Sequence, residues 1–265
     1  MTPPLDPARP AQAGDGRIAV VIPCFNEEAT IAKVVRDFRA ALPNAMVAVY
    51  DNNSTDRSRR EAEAAGAMLG QEKAQGKGHV VRAMFRDVDA DVYVLVDGDD
   101  TYSAKDVGKL IEPILAGRAD MVLGTRLAQR GEDAFRPLNL LGNWIFTALF
   151  NVLYRAKISD TLSGYRAVTR AVAKTIRLDS GGYDVETEIN IRAVEGGFRV
   201  AEVPLPYRKR PEGSFSKLNT FRDGTRVLKC MLFASPRGRR RAAILAGFPL
   251  ALGIALLGVI VWLAG

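Results

Sequence analysis

DVYVLVDGDDTY, residues 91–102, is the stretch whose reading decides the fold of this chain. Val92, Tyr93, Val94, Leu95 and Val96 form an unbroken apolar run rich in β-branched and aromatic residues. A strand buried on both faces of a parallel sheet reads this way. Asp97, Gly98, Asp99 and Asp100 follow at its carboxyl end, where ligands of open α/β sheets bind. Gly98 is expected to let the backbone turn there. Acids this close repel one another unless a cation neutralises them, and hard divalent cations take carboxylate oxygens while keeping positions for phosphate oxygens. The pattern points to a metal–diphosphate site. A solvated acidic turn is the alternative, since Asp and Gly are common loop residues; the buried strand ahead favours the site.

Working outward, the chain alternates strands and helices. Residues 18–22 (IAVVI) read as a buried strand stopped by Pro23, followed by the loop Cys24-Phe25-Asn26-Glu27-Glu28. Ile31, Val34, Val35, Phe38 and Leu42 recur at helical spacing. Residues 46–50 (MVAVY) form the next strand and deliver Asp51, Asn52, Asn53, Ser54, Thr55 and Asp56. A helix over 58–65, a short strand near Met68 and a helix after Gln75-Gly76-Lys77-Gly78 precede the central strand. A helix over 104–115 and a strand over 121–124 follow it. This alternation predicts a doubly wound, mostly parallel α/β sheet of the Rossmann-like kind.

The chemistry is narrowed by what is missing. The turn after the first strand is PCFNEE, without the glycines of a dinucleotide site, and Gly76-Lys77-Gly78 lacks the spacing of a Walker loop. With one histidine, His79, read as a surface residue, and two distant cysteines, Cys24 and Cys230, neither a zinc cluster nor a disulfide framework is implied. That cysteine usage fits a reducing cytosol. The 37 Lys+Arg against 30 Asp+Glu leave a charge of +7, which suits phosphorylated substrates or an anionic membrane surface; nucleic acid is not expected as a partner. A nucleotide-sugar pocket fits best: Lys77 can meet phosphate, acids and amides can read base and ribose, and a Mg²⁺ or Mn²⁺ ion at Asp99 can neutralise the diphosphate.

VVIPCFNEE, DNNSTDRS, QGKG, VDGDDTY and GTR, in this order and spacing, resemble the family-two glycosyltransferases of GT-A fold across roughly 17–217. Within that family, DTLSGYR (160–166) and RPEGSFSK (210–217) resemble the dolichyl- or polyprenyl-phosphate glycosyltransferases. The resemblance implies an inverting transfer from a nucleotide diphosphate sugar to a polyprenyl phosphate. It implies that Pro23, Phe25, Glu27 and Asp51 line the nucleoside and that Asp97 and Asp99 serve nucleotide and metal, with Asp99 the direct ligand. Arg126, Arg210 and Lys217 would meet the acceptor phosphate, and Asp160 would lie near the reaction centre. Two residues depart from the pattern. Asn52, in the nucleotide-binding stretch, stands where many relatives have a second Asp, which favours uridine over guanosine. Thr101 replaces the metal-binding Gln of mannose-transferring relatives.

The expected organisation is a disordered tail (1–16), a catalytic domain (17–217, with a donor half 17–125 and an acceptor half 126–217), a basic amphipathic segment (218–241) and a transmembrane helix (242–265). Residues 242–265 hold no charge and exceed the roughly 20 residues needed to span a bilayer. Arg237, Arg239, Arg240 and Arg241 before them place the catalytic domain on the cytoplasmic side of the cell membrane. Gly247, Ala251 and Ala255 form a stripe suited to helix pairing and a homo-oligomer, which an Ala-rich segment also produces by chance. The apolar residues 138–154 read as a buried core helix, or as a helix dipping into the bilayer. Asp184 and Glu186 open a helix where they favour its N-terminus or act as a base. A sugar-hydroxyl acceptor would need that base; a membrane-tethered, non-catalytic nucleotide-binding module is the reading from another class.

Overall fold

The structure is a computed structural model that describes residues 16–126, 137–217 and 219–246. The expected tail, apart from Gly16, and residues 247–265 of the expected span lie outside the described residues. Among the described residues no helix is long and apolar enough to cross a membrane.

In chain order the elements are β1 (Ile18–Cys24), α1 (Ile31–Ala41), β2 (Met46–Asp51), α2 (Ser58–Ala64), β3 (Met68–Gln71), α3 (Lys77–Asp87), β4 (Val92–Leu95), α4 (Val107–Leu115), β5 (Met121–Thr125), α5 (Pro137–Tyr154), β6 (Arg166–Thr169), α6 (Arg170–Thr175), α7 (Val185–Glu195), β7 (Val200–Pro204), α8 (Thr220–Phe233) and α9 (Pro236–Ala246). One seven-stranded sheet runs β3-β2-β1-β4-β6-β5-β7. All pairings are parallel except those of β6, which lies antiparallel between β4 and β5. The sheet is therefore mixed α/β and mostly parallel, as expected. The reversed strand was not anticipated, because the four residues RAVT are too few to display an alternation.

Strand periodicity sends side chains to two cores, one on each face. Tyr93 and Leu95 enter the core shared with α3, α5, α6, α7 and α8, while Val92, Val94 and Val96 enter the core shared with α1 and α4. This double burial is why the central run is continuously apolar.

Three local expectations are corrected. β1 continues through Pro23 to Cys24. The partner strand β4 ends opposite Val21, so the proline's missing N–H removes no ladder bond on that side. The helix expected over 104–115 opens with a 3₁₀ turn at Ala104–Asp106 before α4 begins. The turn after β4 falls on Asp100, at φ 57°, not on Gly98. Gly98 is needed for closeness, since a Cβ there would stand 3.1 Å from Ile31 Cδ1.

Candidate active site

The carboxyl ends of β1, β2 and β4 open into one cleft, closed on its other side by the start of α7, the loop after β7 and α8. Of the expected site residues, all line this cleft except Asp51 and Asp160.

The acids after β4 are the floor. Asp99 is buried, and its Oδ1 accepts from the Thr101 hydroxyl at 2.6 Å. Its Oδ2 lies 2.5 Å from the Arg210 guanidinium. Burial and the neighbouring charge of Asp97 push its pKa up, against the pull of Arg210. Asp97 behaves oppositely. Burial alone would raise it, but the ammonium of Lys77 holds it below the usual carboxylate range.

Lys77 is shared. Its Nζ meets Asp97 and also lies 2.5 Å from Glu186 at the start of α7. Burial opposes its charge, yet the two carboxylates outweigh burial and hold its pKa raised. Glu186 was expected to serve the helix terminus or to act as a base; it instead neutralises a lysine contributed by another element. The loop before Lys77 is built for close approach. A Cβ on Gly76 would stand 2.0 Å from the Gly181 carbonyl, and one on Gly78 2.0 Å from that of Ser180. His79 is half-buried in the cleft wall, a correction to its surface reading. Its Nδ1 lies 2.5 Å from an Arg82 guanidinium nitrogen.

At the end expected to hold the nucleoside, Pro23 and Phe25 line the cleft and Asp51 sits behind it, its carboxylate accepting from the Ser54 N–H. Asn52 also lines the cleft, but its amide is occupied. Nδ2 donates to the carbonyls of Glu72 (2.8 Å) and Ala74 (2.9 Å), while Oδ1 accepts from the N–H of Gly76 at 2.7 Å. Asn52, expected to serve the nucleotide, thus holds the loop that presents Lys77.

At the end of the cleft expected to meet the acceptor, Asp160 is fully buried and accepts from the backbone N–H, Nε and Nη2 of Arg126. Arg126 keeps the Asp160 pKa low against burial. Asp160 therefore positions Arg126, which also lies over the ring of Tyr207. The loop over 208–217 folds back on the donor acids. Lys217 reaches Glu27 at 2.6 Å, Ser214 donates to Glu27 at 2.9 Å, and Arg210 spans Glu27 and Asp99. Tyr207 and the α8 arginines Arg222 and Arg226 were not read as site residues, yet all three line the cleft, as does Glu186. No motif marks Tyr207 or the two arginines, because their proximity arises from elements packed across the cleft.

Comparisons with known proteins agree with this arrangement. Residues 19–177 match the profile of glycosyl transferase family 2. The chain is 38% identical over 208 residues to glycosyltransferase AglJ of Haloferax volcanii, covering 78% of this chain and 68% of that protein. It is 32% identical over 215 residues to a dolichyl-phosphate hexose transferase of the same organism, covering 81% and 92%. Among solved structures it resembles glucosyl-3-phosphoglycerate synthase from Mycobacterium tuberculosis in complex with Mg²⁺ and uridine diphosphate, with a TM-score of 0.67, 25% identity, and 87% and 84% of the two chains covered. With acidic, cationic and amide groups converging at these strand ends and more than half of the chain matched, the protein belongs to glycosyl transferase family 2 and has a GT-A fold.

Proposed function

We propose that this protein transfers a sugar from a nucleoside diphosphate sugar, uridine favoured, to a polyprenyl phosphate at the cytoplasmic face of a membrane, with inversion at the anomeric carbon. The observation that carries this reading is the convergence of donor-side acids (Asp97, Asp99, Glu27) and acceptor-side cations (Arg126, Arg210, Lys217) in one cleft. The relative named as a dolichyl-phosphate hexose transferase supports the lipid acceptor, and the structural neighbour holding uridine diphosphate supports the donor.

The donor set fits a divalent cation. Asp97 and Asp99 offer hard oxygens one residue apart, and one oxygen of Asp99 already faces a positive group, the Arg210 guanidinium. Among the described residues no group of three or more His, Cys, Asp or Glu could hold a metal ion alone. One or two carboxylates completed by substrate phosphates is the usual arrangement for such an ion on a nucleotide. Held by Asp99 and Asp97, the cation would offset the charge that grows on the departing diphosphate.

The chain's own residues supply the rest. Arg126, fixed by Asp160, and Arg210 and Lys217 bind and orient the acceptor phosphate through charge-assisted hydrogen bonds. A phosphate oxygen is already ionised at neutral pH and needs no base. It attacks the anomeric carbon as the bond to the diphosphate breaks, and the nucleoside diphosphate leaves with the electron pair. The pairing of Glu186 with Lys77 disfavours Glu186 as a base, which leaves Asp184 in the cleft wall as the base a sugar-hydroxyl acceptor would need.

The test is a screen of nucleotide sugars with purified protein and a polyprenyl phosphate, with the lipid product identified by mass. A product on the lipid phosphate is expected. Transfer only to a sugar hydroxyl, or no transfer from any donor, refutes the proposal. Calorimetry is expected to rank uridine diphosphate above guanosine diphosphate; the reverse order refutes the base preference.

A further inference from the structure

Helix α5 has two apolar sides, and the core uses one. Phe146, Phe150 and Leu153 are buried in the core shared with α7 and α8. The opposite side carries Leu141, Trp144, Ala148 and Val152, spaced three, four and four residues apart along one face. Leu141 is 41%, Trp144 65% and Val152 60% exposed. Single exposed apolar side chains are ordinary on a surface; a row along one helix marks an interaction site.

The row belongs to a larger face. The Tyr154 hydroxyl donates to the Met231 carbonyl at 2.6 Å, and Arg241 donates to the Leu153 carbonyl, so the end of α5 is fastened to both α8 and α9. Phe233 on α8 and Ile244 on α9 are also exposed. Cations frame the row: Arg155 and Lys157 stand just beyond α5, and Arg237 and Arg240 share a helical face with Ile244. A tryptophan among aliphatic residues, bordered by Arg and Lys, is the composition of a surface that lies in the interfacial zone of a bilayer. A second copy docked by the same patch would bring those cations together.

We propose that the outer face of α5, with its α8 and α9 neighbours, seats the catalytic domain on an anionic bilayer, with Trp144 at headgroup depth. This rests on the proposed function only for its consequence. The inner side of the same helix supplies Asn143 and Phe146 to the cleft wall, so the acceptor end of the cleft stands about one helix diameter, roughly 10 Å, from the bilayer. A lipid phosphate then reaches Arg126 and Arg210 while its tail stays in the membrane.

The experiment uses the full chain carrying Trp262→Phe, which leaves Trp144 as its single tryptophan. It is reconstituted in vesicles of phosphatidylcholine and phosphatidylglycerol whose acyl chains are brominated near the headgroup. Blue-shifted emission with loss of most of its intensity to bromine is expected. Emission that stays at the aqueous position and is unquenched overturns the proposal. So does emission that is blue and unquenched but depends on the protein-to-lipid ratio, since a second copy then covers the face. In the otherwise unaltered chain, Trp144→Asp with Val152→Asp should lower transfer to a long-chain acceptor in vesicles by about tenfold or more, because two apolar side chains of the docking face are replaced by charges. Transfer to a short-chain, soluble acceptor should be unchanged. An equal loss on both acceptors counts against the docking face. If the unaltered protein transfers to neither, the proposed function falls while the quenching result still decides the docking face.

Discussion

Asn52→Asp tests whether this position serves the loop or the base. The change is nearly isosteric and installs the acid that the family resemblance implies for this position. In this structure it removes the two N–H donors that meet the Glu72 and Ala74 carbonyls at 2.8 and 2.9 Å, and sets a negative oxygen against one of them. The bond from the Gly76 N–H survives and gains charge. A buried carbonyl deprived of its donor costs about 1–3 kcal/mol, but Ala74 is exposed and water can replace part of the loss. The two together should weaken the loop by about 2 kcal/mol, or about 30-fold in local opening. Hydrogen exchange followed by mass spectrometry reads this directly as faster exchange of amides 72–78, with little change in the central strand β4. Because that loop presents Lys77, nucleotide affinity should fall with it. Unchanged exchange over 72–78, together with tighter binding of guanosine diphosphate, would refute the reasoning and return Asn52 to base recognition.

Three further outcomes are expected. Asp99→Asn should fold normally and lose most transfer activity, with weakened Mn²⁺ binding in the presence of uridine diphosphate by electron paramagnetic resonance; full activity in excess chelator would remove the metal from the site. Arg210→Ala should cripple transfer yet leave nucleotide binding nearly intact by calorimetry, because its partners Asp99 and Glu27 remain in place; normal turnover at high lipid concentration would make Arg210 a surface anchor. Asp160→Ala should cost about 2–3 kcal/mol at neutral pH, since it removes the buried carboxylate that meets three N–H groups of the half-buried Arg126. The folded-state pKa of Asp160 is depressed, so its stabilisation is present above the unfolded value near 4 and fades as pH falls through the folded one. Melting temperatures of the two proteins should converge in acid, and a constant gap would contradict the ion pair.

The sequence alone determined what depends on local pattern. An apolar run ending in DGDD reads best as a doubly buried strand with acids at its carboxyl end, and the alternation of periods two and 3.6 around it predicts a mostly parallel sheet with helices on both faces. Because ligands gather at strand ends, the expected donor residues were legible from position in the chain. Tertiary structure decided which of those groups are free and which are occupied. Lys77 and Glu186 are more than a hundred residues apart, and nothing short-range in the chain records that α7 brings its carboxylate to the lysine. Asp160 became a holder of Arg126, Asn52 a holder of the 72–76 segment, and β6 entered the sheet reversed, each through contacts between distant elements. Helix α5 shows the same division. Its apolar composition favours a core helix and still leaves a bilayer-facing helix readable, because composition reports how much apolar surface a helix carries. Packing alone decided that Phe146 and Phe150 face inward and Trp144 and Val152 do not, since the rotation of a helix is set by the neighbours that cover it.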